Sequence, residues 1–294
     1  MTFRTRFAPS PTGPLHLGHA YSALLAYDMA MAAGGDFLLR IEDIDRSRAR
    51  PEWEEQIYDD LRWLGIWWPD PAMRQSERTA AYQSALDELW QREIVYICTC
   101  SRRDIELAAS APQEGVEPTF GPDGLIYPGT CRDKGHGPID PELERPKDVV
   151  LRLDMDRAIQ CIAHHHPTNF TEDGTGPDGK HGPIEIRQDT LINSIGDVVL
   201  ARRDMGTSYH LSVVLDDAAQ GITHVVRGQD LFEATKIHVV LQILLGLPTP
   251  IYHHHKLIRD ENGKRLAKRD DARAIAKFRQ DGATPEDIRR MVGL

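Results

Sequence analysis

Apolar residues fall in short blocks whose spacing alternates between that of a strand and that of a helix. The first block, Thr2 to Phe7, reads as a strand, and Pro9, Pro11, Gly13 and Pro14 behind it forbid regular structure. From Leu17 the pattern turns helical through Leu24, Leu25, Ala26 and Met29, and stops at Gly34-Gly35. Asp36-Phe37-Leu38-Leu39-Arg40-Ile41 is then a mostly apolar run suited to a buried parallel strand. Strand, helix and strand at this spacing make a βαβ unit, the opening of a doubly wound α/β fold. Pro51 to Leu64 carries Trp53, Ile57, Leu61 and Leu64 at helical spacing behind a starting proline, and Trp63, Trp67 and Trp68 are expected to pack. Gln75 to Arg78 caps a further helix reaching Glu93, ahead of a short strand from Ile94 to Cys98.

Farther on the pattern weakens and then recovers. Between His164 and Pro183 a His164-His165-His166 run gives way to Asn, Asp, Gly and Pro with little that is apolar, which predicts a surface loop. Asp197 to Ala201 reads as a strand, Arg202 to Gly206 as a turn, Tyr209 as a helix start and Arg227 as a strand end. Phe232 to Leu245 is an apolar helix, and Ala272 to Gln280 and Pro285 to Val292 are two short closing helices.

Composition narrows the classes. A chain of 294 residues can bury a sizeable core and suits one large domain with an insertion. With 45 Asp+Glu against 35 Lys+Arg, a net charge of −10, it is not an unspecific nucleic-acid coat, although one RNA held by local basic patches is allowed. No apolar run approaches the roughly 18 residues of a membrane span, and the first residues enter a strand with no signal-type segment. The expected location is therefore the cytoplasm, where the 4 cysteines stay reduced and serve as metal ligands or core.

Three places carry candidate chemistry. A strand, a Gly/Pro loop and a helix start together make an anion site from free backbone N–H groups and the helix dipole. His16 and His19 sit on one face of that mouth, with Gly18 removing a side chain where a flat ring could press on the backbone. Glu42 ends the second strand, at the sheet edge where ligands bind, and with Arg6 it could clamp an amino acid, arginine on the carboxylate and glutamate on the ammonium. Cys98, Cys100 and Cys131 lie in one Gly/Pro-rich insertion, and a zinc site wants four N, S or O ligands.

Arg6-Phe7-Ala8-Pro9-Ser10-Pro11-Thr12-Gly13 followed by His16-Leu17-Gly18-His19 resembles the first signature of class I aminoacyl-tRNA synthetases in its glutamyl form, and Arg40-Ile41-Glu42-Asp43-Ile44-Asp45 resembles the same branch. Arg265-Leu266-Ala267-Lys268-Arg269 resembles the second signature, with Arg265 and Ala267 in place of the usual Lys and Ser. The cysteine pattern with Tyr127 resembles the zinc site of the glutamyl-Q tRNA(Asp) synthetase family. The resemblance implies an α/β, Rossmann-like catalytic domain with a zinc-bearing insertion and a short helical C-terminal region. It divides the chain into 1–97 and 149–257 as the two catalytic halves, 98–148 as the insertion and 258–294 as the signature loop and tail. It also implies L-glutamate, ATP and queuosine-bearing tRNA(Asp) as partners, Mg2+ with ATP, and one structural Zn2+.

By the same resemblance His16, His19 and Lys268 are catalytic, and His16, Gly18, His19 and Arg265 to Arg269 (Arg265, Leu266, Ala267, Lys268, Arg269) bind ATP. Arg6, Phe7, Ala8, Pro9, Ser10, Glu42, Tyr209 and Arg227 bind glutamate, and Cys98, Cys100, Tyr127 and Cys131 hold zinc, with His136 as the alternative fourth ligand. Ordinary glutamyl synthetases tend to carry Asn where this chain has Val213, a lost polar contact. About 25 residues follow the second signature, which leaves no anticodon-binding domain, and a monomer suffices. A shortened synthetase charging a tRNA 3′ end, a small-molecule adenylyltransferase and a non-catalytic tRNA-binding paralogue are the competing readings.

Overall fold

A computed structural model describes residues 2–109, 119–135, 144–164, 168–258 and 274–294. Its first elements are β1 (Arg4–Phe7), α1 (Leu17–Ala32), β2 (Asp36–Ile41), α2 (Pro51–Trp63), β3 (Met73–Arg74), α3 (Thr79–Gln91) and β4 (Val95–Cys98). There follow α4 (Arg102–Ala109), β5 (Phe120–Gly121), β6 (Gly124–Leu125), α5 (Arg132–Gly135), β7 (Val150–Leu153), α6 (Met155–Ile162), β8 (Asn169–Glu172) and β9 (Gly182–Glu185). After α7 (Gln188–Thr190) and a π turn (Leu191–Ile195) come β10 (Val199–Ala201), α8 (Tyr209–Ala219), β11 (His224–Gly228), α9 (Thr235–Leu244), β12 (Ile251–His255), α10 (Ile275–Gln280) and α11 (Pro285–Val292).

The first two apolar strands pair as their pattern predicts. β1 and β2 run parallel, Arg4 opposite Asp36 through Phe7 opposite Leu39, with α1 as the crossover, and β3 extends that edge. β11 and β12 are parallel from His224 opposite Ile251 to Gly228 opposite His255; β8 joins β12 in parallel and β9 closes antiparallel. The edges of β1 and β11 meet, Thr223 N–H donating to Arg4 O at 3.0 Å and Arg4 N–H to Thr223 Oγ1 at 2.8 Å. The layer therefore reads β3-β2-β1-β11-β12-β8-β9, with its switch point between β1 and β11, the place where sheets of this kind bind ligands. A second, antiparallel sheet, β10-β7-β4, sets Cys98 opposite Val150, so the chain that leaves at 98 returns beside itself.

Two apolar clusters hold these layers. Ala20, Ala23, Ala26 and Ala30 of α1 are small enough to bring the helix close to Phe7, Phe37, Leu39 and Ile41, and Ile275, Phe278 and Ile288 of α10 and α11 complete that cluster. The larger cluster joins α3, α6, α8 and α9 around β4, β7, β10, β11 and β12. Among the described residues no helix is long and apolar enough to cross a membrane.

The structure corrects several expectations. The stretch 164–183 is not a surface loop over its length: β8 and the start of β9 lie in it, and Phe170 and Glu172 are 1% and 0% exposed. Polarity misled there, because Glu172 is buried on hydrogen bonds from the N–H groups of Gly174 and His254 and from the His254 ring. His165 and His166 lie outside the described residues. Trp68 stacks on Tyr58, but Trp67, beyond the end of α2, is 65% exposed. Gln75–Glu77 is a 3₁₀ turn rather than a cap, and α9 starts at Thr235 after a second such turn, Gln229–Leu231. Asp197 precedes β10, its carboxylate accepting from Tyr96 O–H, Met155 N–H and Arg132.

Candidate functional site

The loop after β1 is stapled to the end of β2, where Pro9 O accepts from Glu42 N–H and Pro11 O from Arg50 N–H, each at 3.0 Å. It delivers His16 as the N-cap of α1. Gly18 N–H donates to His16 Nδ1 at 3.1 Å, His16 N–H donates to His19 Nδ1 at 3.1 Å, and the two rings sit 3.8 Å apart. Free backbone donors were the expectation, but these two are taken by the histidines themselves. With each Nδ1 accepting, the proton of each neutral ring is on Nε2. A Cβ on Gly18 would lie 3.0 Å from His16 Cε1, so the ring that presses on the backbone is the cap's own. Ile275 N–H donates to Leu15 O, Ala274 bridges His16, and His255 hydrogen-bonds Ser22 at 2.7 Å. Ala274 and Ile275 thus adjoin the start of α1 and His255 reaches its second turn; Lys268 and Arg265 to Arg269 fall outside the described residues.

Beneath the loop lies a buried charge network that the sequence reading missed. Arg6 donates to both Asp217 oxygens, at 2.9 and 3.3 Å, and Arg40 donates to Asp217 at 2.7 Å and to Glu42 at 3.2 Å. Asp216 accepts from Arg78, Gln75 and Tyr82, each at 2.8 Å. Arg6 was expected to hold a substrate carboxylate; here it holds Asp217, because an Asp pair buried on the apolar helix α8 needs counter-ions. The signal was present as a lone arginine inside Phe37–Ile41 and adjacent acids after Val213-Val214-Leu215. Burial pushes the Asp217 carboxyl up, but Arg6 and Arg40 outweigh it and hold the group below its ordinary range. For Glu42 burial wins over the same arginines, and its pKa is raised. Phe7 buries its ring in the smaller cluster, leaving its backbone to the loop; Ala8, Pro9 and Ser10 follow it there, and Val213 is buried in the larger cluster.

Arg227 differs from Arg6. It is 6% exposed, and its donors go to His254 Nε2 at 3.1 Å, His238 Nδ1 at 3.1 Å, Thr235 Oγ1 at 2.7 Å and Leu231 O at 3.3 Å, with Tyr252 beneath the guanidinium. Among the described residues none of these partners is a carboxylate. Burial, then the Arg227 charge and His210, holds His238 well below the ordinary histidine range; burial also lowers His254 against the pull of Glu172. Burial raises the Tyr209 hydroxyl, and the Tyr209 ring packs edge-on against His238, the imidazole bonded to Arg227. A buried cation with no carboxylate partner among the described residues suits a ligand that carries a negative charge.

The cysteines converge. The Sγ atoms of Cys98, Cys100 and Cys131 lie within 4.8 Å of one another, and Tyr127 Oη is 3.5 Å from Cys98 Sγ and 3.4 Å from Cys100 Sγ. Four donors about 2.0–2.3 Å from a common centre stand roughly 3.3–3.8 Å apart in a tetrahedron, so these four fit a zinc ion. Hydrogen bonds from Tyr127 and Thr99 overcome burial to lower the Cys131 thiol to about 6, whereas burial raises Cys100 to about 11. His136 lies outside the described residues, and the fourth cysteine, Cys161, is exposed elsewhere on α6.

Comparison with known proteins gives a consistent context. Residues 2–294 match the family described as tRNA synthetases class I (E and Q), catalytic domain. A glutamyl-Q tRNA(Asp) synthetase of Rhodobacter capsulatus is 65% identical over 293 residues, 99% of each chain, and one of Nocardia farcinica is 40% identical over 96% of this chain and 81% of its own. A crystal structure of a glutamate tRNA ligase from Elizabethkingia meningosepticum, in complex with its amino acid, superposes with a TM-score of 0.74 at 26% identity. It covers 100% of this chain, which spans only 61% of that one.

Proposed function

Because this chain belongs to the class I tRNA synthetases of the E and Q catalytic-domain family and is a ligase, we propose that it activates L-glutamate with ATP and passes the glutamyl group to queuosine in tRNA(Asp). The observation that carries the amino-acid assignment is Arg227, a buried cation whose partners among the described residues are all neutral, beside the His238 ring that packs on Tyr209. Its charge favours a side-chain carboxylate over a carboxamide, since a neutral ligand would leave it unpaired. Glu42, once ionised, takes the ammonium, and Tyr209 closes the side of the pocket. Phe7 to Ser10 supply backbone along the loop.

In the first step the glutamate α-carboxylate attacks the α-phosphorus of ATP in line, and pyrophosphate leaves with the broken P–O bond. His16 and His19 present Nε2–H donors to the phosphates, and Lys268, with Arg265 to Arg269, offsets the charge that builds on the leaving group. Magnesium arrives with ATP as part of the substrate. In the second step a hydroxyl of the queuosine cyclopentene-diol attacks the activated carbonyl and AMP departs. Zinc held by Cys98, Cys100, Tyr127 and Cys131 would cross-link the insertion, 98–148, between the catalytic halves 1–97 and 149–257.

The test supplies labelled glutamate and Mg-ATP with tRNA from cells that make queuosine and from cells that do not. Label confined to queuosine-containing tRNA(Asp) is the expected result. Label at the 3′ ends of tRNA(Glu) in both pools would make the chain a shortened charging enzyme. No label, with no glutamate-dependent pyrophosphate exchange, would make it a binding protein.

A further inference from the structure

Arg227 lies at the centre of a hydrogen-bonded row that ends in two carboxylates on different parts of the fold. On one side Arg227 Nε donates to His254 Nε2, and His254 Nδ1 bonds Glu172, both side chains being fully buried. On the other side Arg227 Nη1 meets His238 Nδ1 at 3.1 Å, His238 Nε2 meets His210 Nδ1 at 3.1 Å, and His210 Nε2 lies 3.3 Å from Asp123. Asp123 belongs to the β5–β6 hairpin of the cysteine-bearing insertion. That hairpin is pressed onto the π turn so closely that a Cβ on Gly121 would stand 2.4 Å from Ser194 O.

An arginine can only donate, and this fixes every proton in the row. His238 Nδ1 must accept from Arg227, so its proton is on Nε2 and is donated to His210 Nδ1. His210 therefore carries its own proton on Nε2 and donates it to Asp123. By the same logic His254 accepts at Nε2 and donates from Nδ1 to Glu172. All three imidazoles are then neutral, and the only full charges in the row are Arg227 and the two terminal carboxylates. The row orients the guanidinium on two nitrogens without bringing an anion against it. Four of its five N–H groups have acceptors among the described residues, leaving one on Nη1.

We propose that Asp123, His210 and His238 are positioning residues through which the insertion aims Arg227 and keeps it uncompensated, so that the hairpin sets the affinity of the pocket for a carboxylate side chain. This rests on the reading of Arg227 as the glutamate-selecting cation. A carboxylate in place of His238 would pair with Arg227 and exclude the ligand. A histidine with the opposite tautomer would point an N–H at the guanidinium and turn it away. Asp123 supplies the last acceptor, and without it His210 no longer has a reason to hold its proton on Nε2.

The test compares Asp123→Ala with Asp123→Asn, because the asparagine keeps an oxygen that accepts from His210 and the alanine does not. The readouts are direct titration of L-glutamate onto the full-length enzyme, and separate kcat and KM values for glutamate and ATP in the tRNA glutamylation assay. Asp123→Ala is expected to weaken glutamate binding and raise its KM about tenfold, the scale of one lost hydrogen bond to a charged group. The ATP KM stays unchanged and Asp123→Asn restores most of the loss. A second pair, His238→Phe against His238→Asn, tests the next position, the asparagine again retaining an acceptor for Arg227. If wild-type enzyme binds glutamate and Asp123→Ala binds it equally well, the relay is wrong and the pocket assignment stands. Equal losses in kcat and in both KM values for Asp123→Ala, without rescue by asparagine, also overturn it. If wild-type enzyme binds no glutamate, the pocket assignment and the relay fall together.

Discussion

Two buried arginines at the same sheet edge have opposite surroundings, and that contrast decides what each can do. Arg6 is spent on Asp217, whereas Arg227 is held by imidazoles and a hydroxyl. Glu42 stands between these extremes, its pKa raised by burial despite Arg40 and Arg6. An ammonium is received only by the ionised form, so acidification through that raised pKa removes the partner. The glutamate KM is therefore expected to rise as pH falls, and Glu42→Gln to bind weakly with a flat profile. A wild-type KM that does not move between about pH 5 and 8 would count against Glu42. Asp60 makes a separate prediction about stability. Both its carboxylate oxygens are buried without a hydrogen-bond partner among the described residues, and burial, then Asp59, raises its pKa from 3.8 to about 7. An acid that binds its proton more tightly when folded adds stability below its unfolded pKa and loses it as pH rises through the folded one. Asp60→Asn should thus leave Tm little changed at pH 4 and raise it by about 2 °C or more at pH 8, read by thermal denaturation.

At the scale of elements, α1 shows how a cap and a functional group can be the same side chain. Alanine suits a helix better than glycine by up to about 1 kcal/mol, yet at position 18 its Cβ would displace the His16 ring. Gly18→Ala is expected to preserve or raise Tm while cutting glutamate-dependent pyrophosphate exchange at least about tenfold, the scale of a catalytic contact moved out of place. The insertion makes a compositional prediction: protein never exposed to chelator should carry about one zinc per chain, and Tyr127→Phe should carry less. Zinc retained in full by that variant would return the fourth position to His136. How far these elements were legible follows from their physics. The first βαβ unit was readable because apolar period and Gly/Pro punctuation agree from Thr2 to Ile41. The cysteine cluster was readable because few residue types serve as thiolate ligands. β8 was not, since its inward positions are one phenylalanine and one glutamate, and only His254, about 80 residues on, explains the acid. Arg40 with Asp216 and Asp217 escaped for the same reason: the partners that make burial tolerable are distant in sequence.

Across the whole molecule, acidic by 10 charges, the positive groups that matter are concentrated at one sheet edge. Arg6 and Arg40 are neutralised within the fold, so by proposal the site owes its attraction for an anion to Arg227 and the second signature. On the proposed reading, Arg227 without its ligand is a buried ion with no carboxylate partner among the described residues, and such a group disfavours the folded state. Replacing it by methionine, close in volume and uncharged, should raise Tm while abolishing glutamate binding. Saturating glutamate should raise the Tm of the wild-type protein and leave that of the variant where it was, occupancy at 100 times Kd being worth about 2.7 kcal/mol. The empty enzyme is on this view held short of its most stable sequence by the feature that selects its substrate. Selection for thermal resilience alone would erode position 227 first, and a relative that melted higher but had lost that arginine would have exchanged recognition for robustness.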